Sequence, residues 1–390
     1  MAYDKVKRGP MLEAMTRLGI TGKLHRLISL FHSNTVFRVK GLQGSISDIY
    51  EQVEGLRQGD PLACIIFNLL LTVIMKDARD MYSSECVVRG LLKWDALEKF
   101  CKRPFVAYAD DTNLYSQCRK SVEVMLHCLQ VKARKYGLEL NIDKSFLILI
   151  GDARRREEMM GIQDVDGRDI QCVSSSPTLG FELGGTVRPV KIANAKASGM
   201  LQRMNQYKYI WQSNIPIKNK IQKYYSLIVS KAIWGLHLLA LSPRALAHLE
   251  YIHVRCMRRI LRIPASFISN VSNEEVLRRA KARPLRVDIN LKQCSKLGHI
   301  LRRDDDHPDF HIQFQNRDLD ERRPDGCGRR VGRARTTWFQ SILPLFTRHG
   351  HFAHELSDLA QDRDEWYKVS LYICANNSLV TSNLPALGDQ

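Results

Sequence analysis

The sequence predicts an α+β fold: a small sheet with helices on one face, then a helical second half and a basic tail. Three observations predict it. Apolar residues recur at three and four spacing over residues 12–30 and again from Ser121 to Tyr136, as helix faces do. Between them PFVAYADDTNLYSQ, at Pro104 to Gln117, reads as strand, tight turn, strand. Beyond Val190, stretches such as IKNKIQKYYSLIVSKAIWGLHLLAL carry apolar stripes with Lys and Arg on the opposite face. The order helix, hairpin, helix, strand suits a sheet of the split βαβ kind.

In chain order, the first helix is followed by a strand pair around Val36 to Tyr50. In GLRQGDPLACIIFNLLL, Asp60 is suited to cap a helix and Pro61 to its first position, so a buried helix is predicted to start there. Its apolar run, Leu62 to Met75, is too short to span a bilayer and is interrupted by Asn68, so no membrane partner is expected. The helix from Ser121 ends at Gly137, a natural residue for the left-handed C-terminal position. LELNIDKSFLILIG reads as two short extended stretches around a polar break. The stripes of residues 190–264 fit either a core-packing bundle with solvated charges or a surface that faces nucleic acid. From about Pro284 the chain is richer in Arg and poorer in pattern, and ERRPDGCGRRVGRARTTW reads as a flexible basic segment.

Composition narrows the partners. A chain of 390 residues has room for two or three domains. Its 59 basic against 41 acidic residues, formal charge +18, point to a polyanion, nucleic acid before membrane, although a ribosomal or chromatin protein has the same balance. The charged N-terminus has no apolar segment, so no signal peptide is expected. Ten scattered cysteines without a C-x-x-C pair suit a reducing compartment, hence an intracellular location, nucleus or cytoplasm. HGHFAHE, at His349 to Glu355, lacks the H-E-x-x-H order and reads as surface histidines.

The acidic pair is the chemical clue. Adjacent carboxylates repel and resist desolvation, and a plain turn is better served by Asn-Gly or Asp-Gly. Asp110 and Asp111 at a hairpin tip are a mount for hard oxygen ligands and suit Mg2+. Two-metal phosphoryl transfer needs carboxylates from more than one strand, so the pair is half a site. An acidic turn without metal is the other reading.

The neighbouring motifs decide between them. RQGDPL at Arg57 to Leu62, YADD at Tyr108 to Asp111, GLELNIDKS at Gly137 to Ser145 and TLG at Thr178 to Gly180, in that order, resemble the consecutive palm motifs of reverse transcriptases. The spelling is nearest to non-LTR (LINE-type) retrotransposons: group II intron relatives usually show Pro-Gln-Gly at residues 57–59, and retroviral enzymes Met or Val at Ala109. The resemblance covers about residues 2–262, and LGHILRRDDDHP and GRRVGRARTTW look like C-terminal segments of such element proteins. It implies a right-hand polymerase palm with a ferredoxin-like sheet over 1–188, fingers missing, a helical thumb over 189–268, and a basic, partly flexible C-terminal region over 269–390. It also implies an RNA-directed DNA polymerase that uses an RNA template, a DNA primer and deoxynucleoside triphosphates, with two Mg2+ ions, for which Mn2+ can substitute.

The resemblance assigns residues as well. Asp110 is the metal ligand and Asp111 its partner. Lys144 assists the leaving pyrophosphate, a merely solvated lysine being the alternative. Gln58, Gly59 and Tyr108 lie at the nucleotide and template, and Leu179 and Gly180 form the primer grip, with Thr178 where the family more often has Tyr. AYDKV, at Ala2 to Val6, resembles the tail of the first palm motif, with Tyr3 as the aromatic beneath the sugar. Asp4 is not expected to reach the metals, because side chains alternate along a strand. The family's first metal-binding Asp lies five residues before that aromatic, ahead of residue 1, so an N-terminally truncated fragment with weak extension is expected. RRPD, at Arg322 to Asp325, resembles part of a restriction-like endonuclease, without a glutamate at suitable distance before Glu355. Competing readings are an inactive element remnant that binds RNA or DNA, a group II intron-type maturase, and a structural protein with an incidental acidic turn.

Overall fold

The computed structural model describes residues 2–33, 35–41, 44–57, 59–91, 105–116, 118–150, 161–184, 188–321 and 336–376. Its contacts divide the chain into two units, Met1–Ser174 and Ser175–Gln390.

In the first unit the single helix expected over residues 12–30 is two, α1 (Arg8–Arg17) and α2 (Gly22–His32). Gly19, at φ +84°, lets the Ile20 and Gly19 amides turn back onto the carbonyls of Met15 and Thr16, which closes α1. The apolar spacing runs on across this break, so periodicity alone did not reveal it. β1 (Thr35–Phe37) pairs antiparallel with β2 (Tyr50–Gln52).

Helix α3 (Pro61–Val88) starts where its cap requires: the Asp60 carboxylate accepts the Leu62 N–H at 2.9 Å. It runs 28 residues, further than the apolar run suggested, and its most apolar window has a mean hydropathy of 1.7. By length and composition that is enough to cross a bilayer, and 44% of the window is buried inside the protein. Ile66, Phe67, Leu70 and Ile74 pack with Met11 and Met15 of α1 and with Tyr136. The second half of α3 buries Tyr82 and Cys86 against Val124, Met125 and Cys128 of α4 (Arg119–Lys135). Gly137, at φ +80°, closes α4 through the Leu138-to-Ala133 and Gly137-to-Arg134 bonds. A Cβ there would also lie 2.2 Å from the Lys5 carbonyl oxygen, so two constraints demand glycine.

The strands pair in twos among the described residues: β3 (Phe105–Tyr108) with β4 (Asp111–Leu114), β5 (Leu147–Ile148) parallel to β8 (Cys172–Val173), and β6 (Ile162–Gln163) with β7 (Asp169–Ile170). The single sheet expected from the element order is thus a set of short ladders. One reason is local. Tyr3–Lys5, expected as strand, is a 3-10 turn, and its surroundings bond elsewhere: Leu56 N–H to the Tyr3 carbonyl, Gly55 N–H to Val6, Lys7 N–H to Tyr136. The strand alternation used for Asp4 therefore does not apply, and Asp4 is exposed on that turn.

The second unit opens with β9 (Ser175–Thr178) and β10 (Phe181–Gly184) and continues as helices. These include α5 (Pro189–Gln206), α6 (Ile217–Tyr224), which runs through a π-helical turn (Tyr225–Val229), α7 (Pro243–Leu261) and α8 (Asn273–Ala280). Their apolar stripes form one core around Met200, Met204, Tyr224, Ile228, Leu249 and Met257, with Arg255 and Arg259 exposed on α7. The poor pattern after Pro284 conceals a second core. α9 (Leu285–Leu301), α10 (Trp338–Thr347) and α11 (Arg363–Asn376) enclose Leu297, Phe310, Phe314, Phe346 and Trp366. Several of these aromatics come from short segments between polar turns, which leaves no long periodic run to read. Residues 322–335, with RRPD and most of the basic segment, lie outside the described residues. Their flanks meet, the Gln340 amide donating to Glu321 Oε2 at 2.7 Å.

Candidate functional site

The acidic turn forms as the sequence predicts. β3 and β4 pair from Phe105 opposite Leu114 to Tyr108 opposite Asp111, leaving Ala109 and Asp110 as a two-residue connection. Phe105 and Leu114 pack against the α3–α4 core and anchor the base of the hairpin. At the tip Ala109 sits at φ +52°, a region that costs a residue with a Cβ about 1 kcal/mol. Asp110 and Asp111 are exposed, and neither has an ion-pair partner among the described residues. Side by side they offer hard oxygen donors that suit a divalent cation. No group of three or more such ligands occurs among the described residues.

Tyr3, more than a hundred residues earlier in the sequence, comes within electrostatic range of this tip. Its ring stacks on Phe67 of α3 with centroids 4.5 Å apart and planes 19° off parallel. Burial first, then a hydrogen bond with the Cys64 thiol and the nearby Asp110 carboxylate, push the Tyr3 phenol above its ordinary value. Sequence reasoning missed Cys64 and Phe67. Their spacing of three, within two turns of the Asp60 cap, was the signal that one face of α3 looks toward the site.

The other assigned residues of this unit lie in different settings. Gln58 lies outside the described residues. Gly59 is at φ +88°, with no atom of the described residues within 4 Å of where a Cβ would stand, so the backbone conformation calls for glycine. Tyr108 is 68% exposed. Lys144 is exposed at the end of the 3-10 turn Ile142–Lys144 and makes no hydrogen bond or ion pair with the other assigned residues among those described.

Leu179 and Gly180 belong to the second unit and join β9 to β10, at φ +51° and +76°. Two-residue hairpin turns with both central residues at positive φ match the strand twist. Trp234 secures this turn: its Nε1–H donates to the Leu179 carbonyl at 2.9 Å, and a Cβ on Gly180 would come within 3.4 Å of the same nitrogen. The next residue, Gly235, is at φ +80°, and a Cβ there would lie 2.5 Å from the Phe181 ring. Trp234 also escaped the sequence reading, because nothing local links it to a turn 55 residues earlier.

Residues 1–210 match the family model described as reverse transcriptase (RNA-dependent DNA polymerase). The chain belongs to the reverse transcriptase family. The match takes in all of the first unit and continues in the second through the β9–β10 turn and α5. This family's activity is RNA-directed DNA synthesis, which calls for a nucleic-acid template, a primer and deoxynucleotides.

Proposed function

We propose that this reverse transcriptase is of the non-LTR retrotransposon type, with its palm over residues 1–188, its thumb over 189–268, and nucleotidyl transfer at the β3–β4 tip. Asp110 and Asp111 would hold divalent metal, Mg2+ or its substitute Mn2+. Such ions supply positive charge opposite the attacking and leaving oxygens. The chain's own residues do the positioning. Tyr3, braced on Phe67, forms the floor under the nucleotide sugar; Gly59 leaves the backbone open to template or nucleotide; the Leu179–Gly180 turn holds the primer end. Lys144 offers positive charge to the departing pyrophosphate. The observation that carries the reading is the β3–β4 tip itself, where Asp110 and Asp111 stand side by side, exposed and without an ion-pair partner among the described residues. The reducing-compartment cysteine pattern supports intracellular work, in nucleus or cytoplasm.

Primer extension on an RNA template in Mg2+ tests it, comparing the chain with its D110N variant. Extension by the chain and its loss in D110N is the expected pattern. Nucleic-acid binding without extension would favour the remnant that only binds.

A further inference from the structure

Helix α9 carries Lys292, Lys296 and His299, and Arg303 follows just past its end. Spacings of four, three and four put all of them on one face. The geometry bears this out, since Arg303 Nη2–H donates to His299 Nε2 at 3.0 Å. His237 faces the same stripe from the 3-10 turn Leu236–Leu238, where its carbonyl accepts the Trp338 indole N–H at 2.7 Å. Burial and then the charges of Lys292 and Lys296 lower its basicity. Its Nδ1 is buried without a hydrogen-bond partner among the described residues, as is Arg303 Nε.

Acidic neighbours answer this charge in part. Asp309 pairs with Lys296 at 3.3 Å, Asp288, one turn before Lys292, is engaged by Arg283 at 2.7 Å, and the exposed Asp304, Asp305 and Asp306 follow Arg303 directly, Asp305 pairing with Arg317. Lys292 is exposed and has no ion pair among the described residues. Like charges one turn apart on a helix repel, and a bound anion relieves that repulsion. The stripe lies outside the residues that match the family.

We propose that this face of α9 is a second nucleic-acid contact, holding the phosphate backbone of one strand. From Lys292 to Arg303 is eleven residues, about 16 Å of helix, or roughly five phosphates of a single strand. The choice of nucleic acid among polyanions rests on the reverse transcriptase reading; the anion site itself rests on α9.

The test uses the full chain and a labelled single-stranded RNA, with affinity measured across KCl concentrations. The triple variant K292Q/K296Q/R303Q should lower the slope of log affinity against log salt by about 2, since each phosphate contact on a single strand contributes about 0.7. An unchanged slope in a folded triple variant overturns the proposal. K292Q alone, which breaks no described ion pair, should lower the slope by about 0.7. It decides the matter if the triple variant does not fold, an unchanged slope again being fatal. D110N should leave the slope intact while removing extension, so failure of the polymerase reading shows in extension and failure of this one in the salt slope.

Discussion

The two hairpin turns that carry assigned residues, Ala109–Asp110 and Leu179–Gly180, are built alike and finished differently. Both join their strands through two residues, and both force a residue with a side chain to positive φ, at +52° and +51°. The Leu179 turn is completed from within: Trp234 satisfies its carbonyl, and Gly235 lets the Phe181 ring close behind it. At the Asp110 turn the base is packed but the two carboxylates meet no ion-pair partner among the described residues. Strain held in place by protein contacts reads as a preformed support. Unanswered charge at a strained tip reads as a place that an ion or substrate must complete.

The largest expected effect tests that reading directly. D110N should reduce primer extension on the order of a thousand-fold, with little change in RNA affinity, as a single-turnover assay against a binding titration will show. Equal losses in both would make the acidic tip a structural element like its counterpart.

Next comes the scaffold under the second turn. His253, fully buried on α7, accepts from the Tyr224 hydroxyl at 3.0 Å on Nδ1 and donates from Nε2 to the Arg283 carbonyl at 3.2 Å. Burial lowers its pKa to about 4, against an ordinary value of 6.5. Above pH 6.5 the folded and unfolded chains are both neutral here, and nothing is lost. Between 6.5 and about 4 the unfolded chain alone takes the proton, so stability should fall by about 3 kcal/mol across that window. Chemical unfolding followed by tryptophan emission at pH 7 and pH 4.5 measures it, and H253Q should lose less over the same interval.

W234F keeps an aromatic side chain, though a smaller one, and removes the indole N–H donor, so it should cost about 1 kcal/mol and slow extension several-fold. If extension is unaffected, the Leu179 turn does not depend on its clasp. Smallest of all is A109G. Relief of about 1 kcal/mol of left-handed strain is offset by a similar gain in unfolded-chain entropy, so the melting temperature should hardly move. A clear rise would mean that the tip stores more strain than its φ indicates.

Local chemistry explains which elements were readable. Asp60 and Pro61 announced the start of α3, Gly137 the end of α4, and the polar break in PFVAYADDTNLYSQ the position of the β3–β4 turn, because each signal is satisfied within a few residues. Readings that depended on continuity failed. The break at Gly19 lies inside an unbroken apolar rhythm, and the Tyr3 segment is a turn rather than the expected strand because its bonding partners lie across the fold. The core of the last hundred residues was underestimated because its aromatics are scattered over short helices.

The sequence by itself determined the motif order, the acidic tip, the caps of the central helices and the basic balance, all of them properties of residue type and close neighbours. Tertiary structure alone decided that Tyr3 stacks on Phe67, that Trp234 holds Leu179, and that β5 finds β8 across an intervening hairpin. Those pairings join residues tens of positions apart. Their free energy comes from burial and hydrogen bonds made only once the intervening chain has folded, and no local pattern records it.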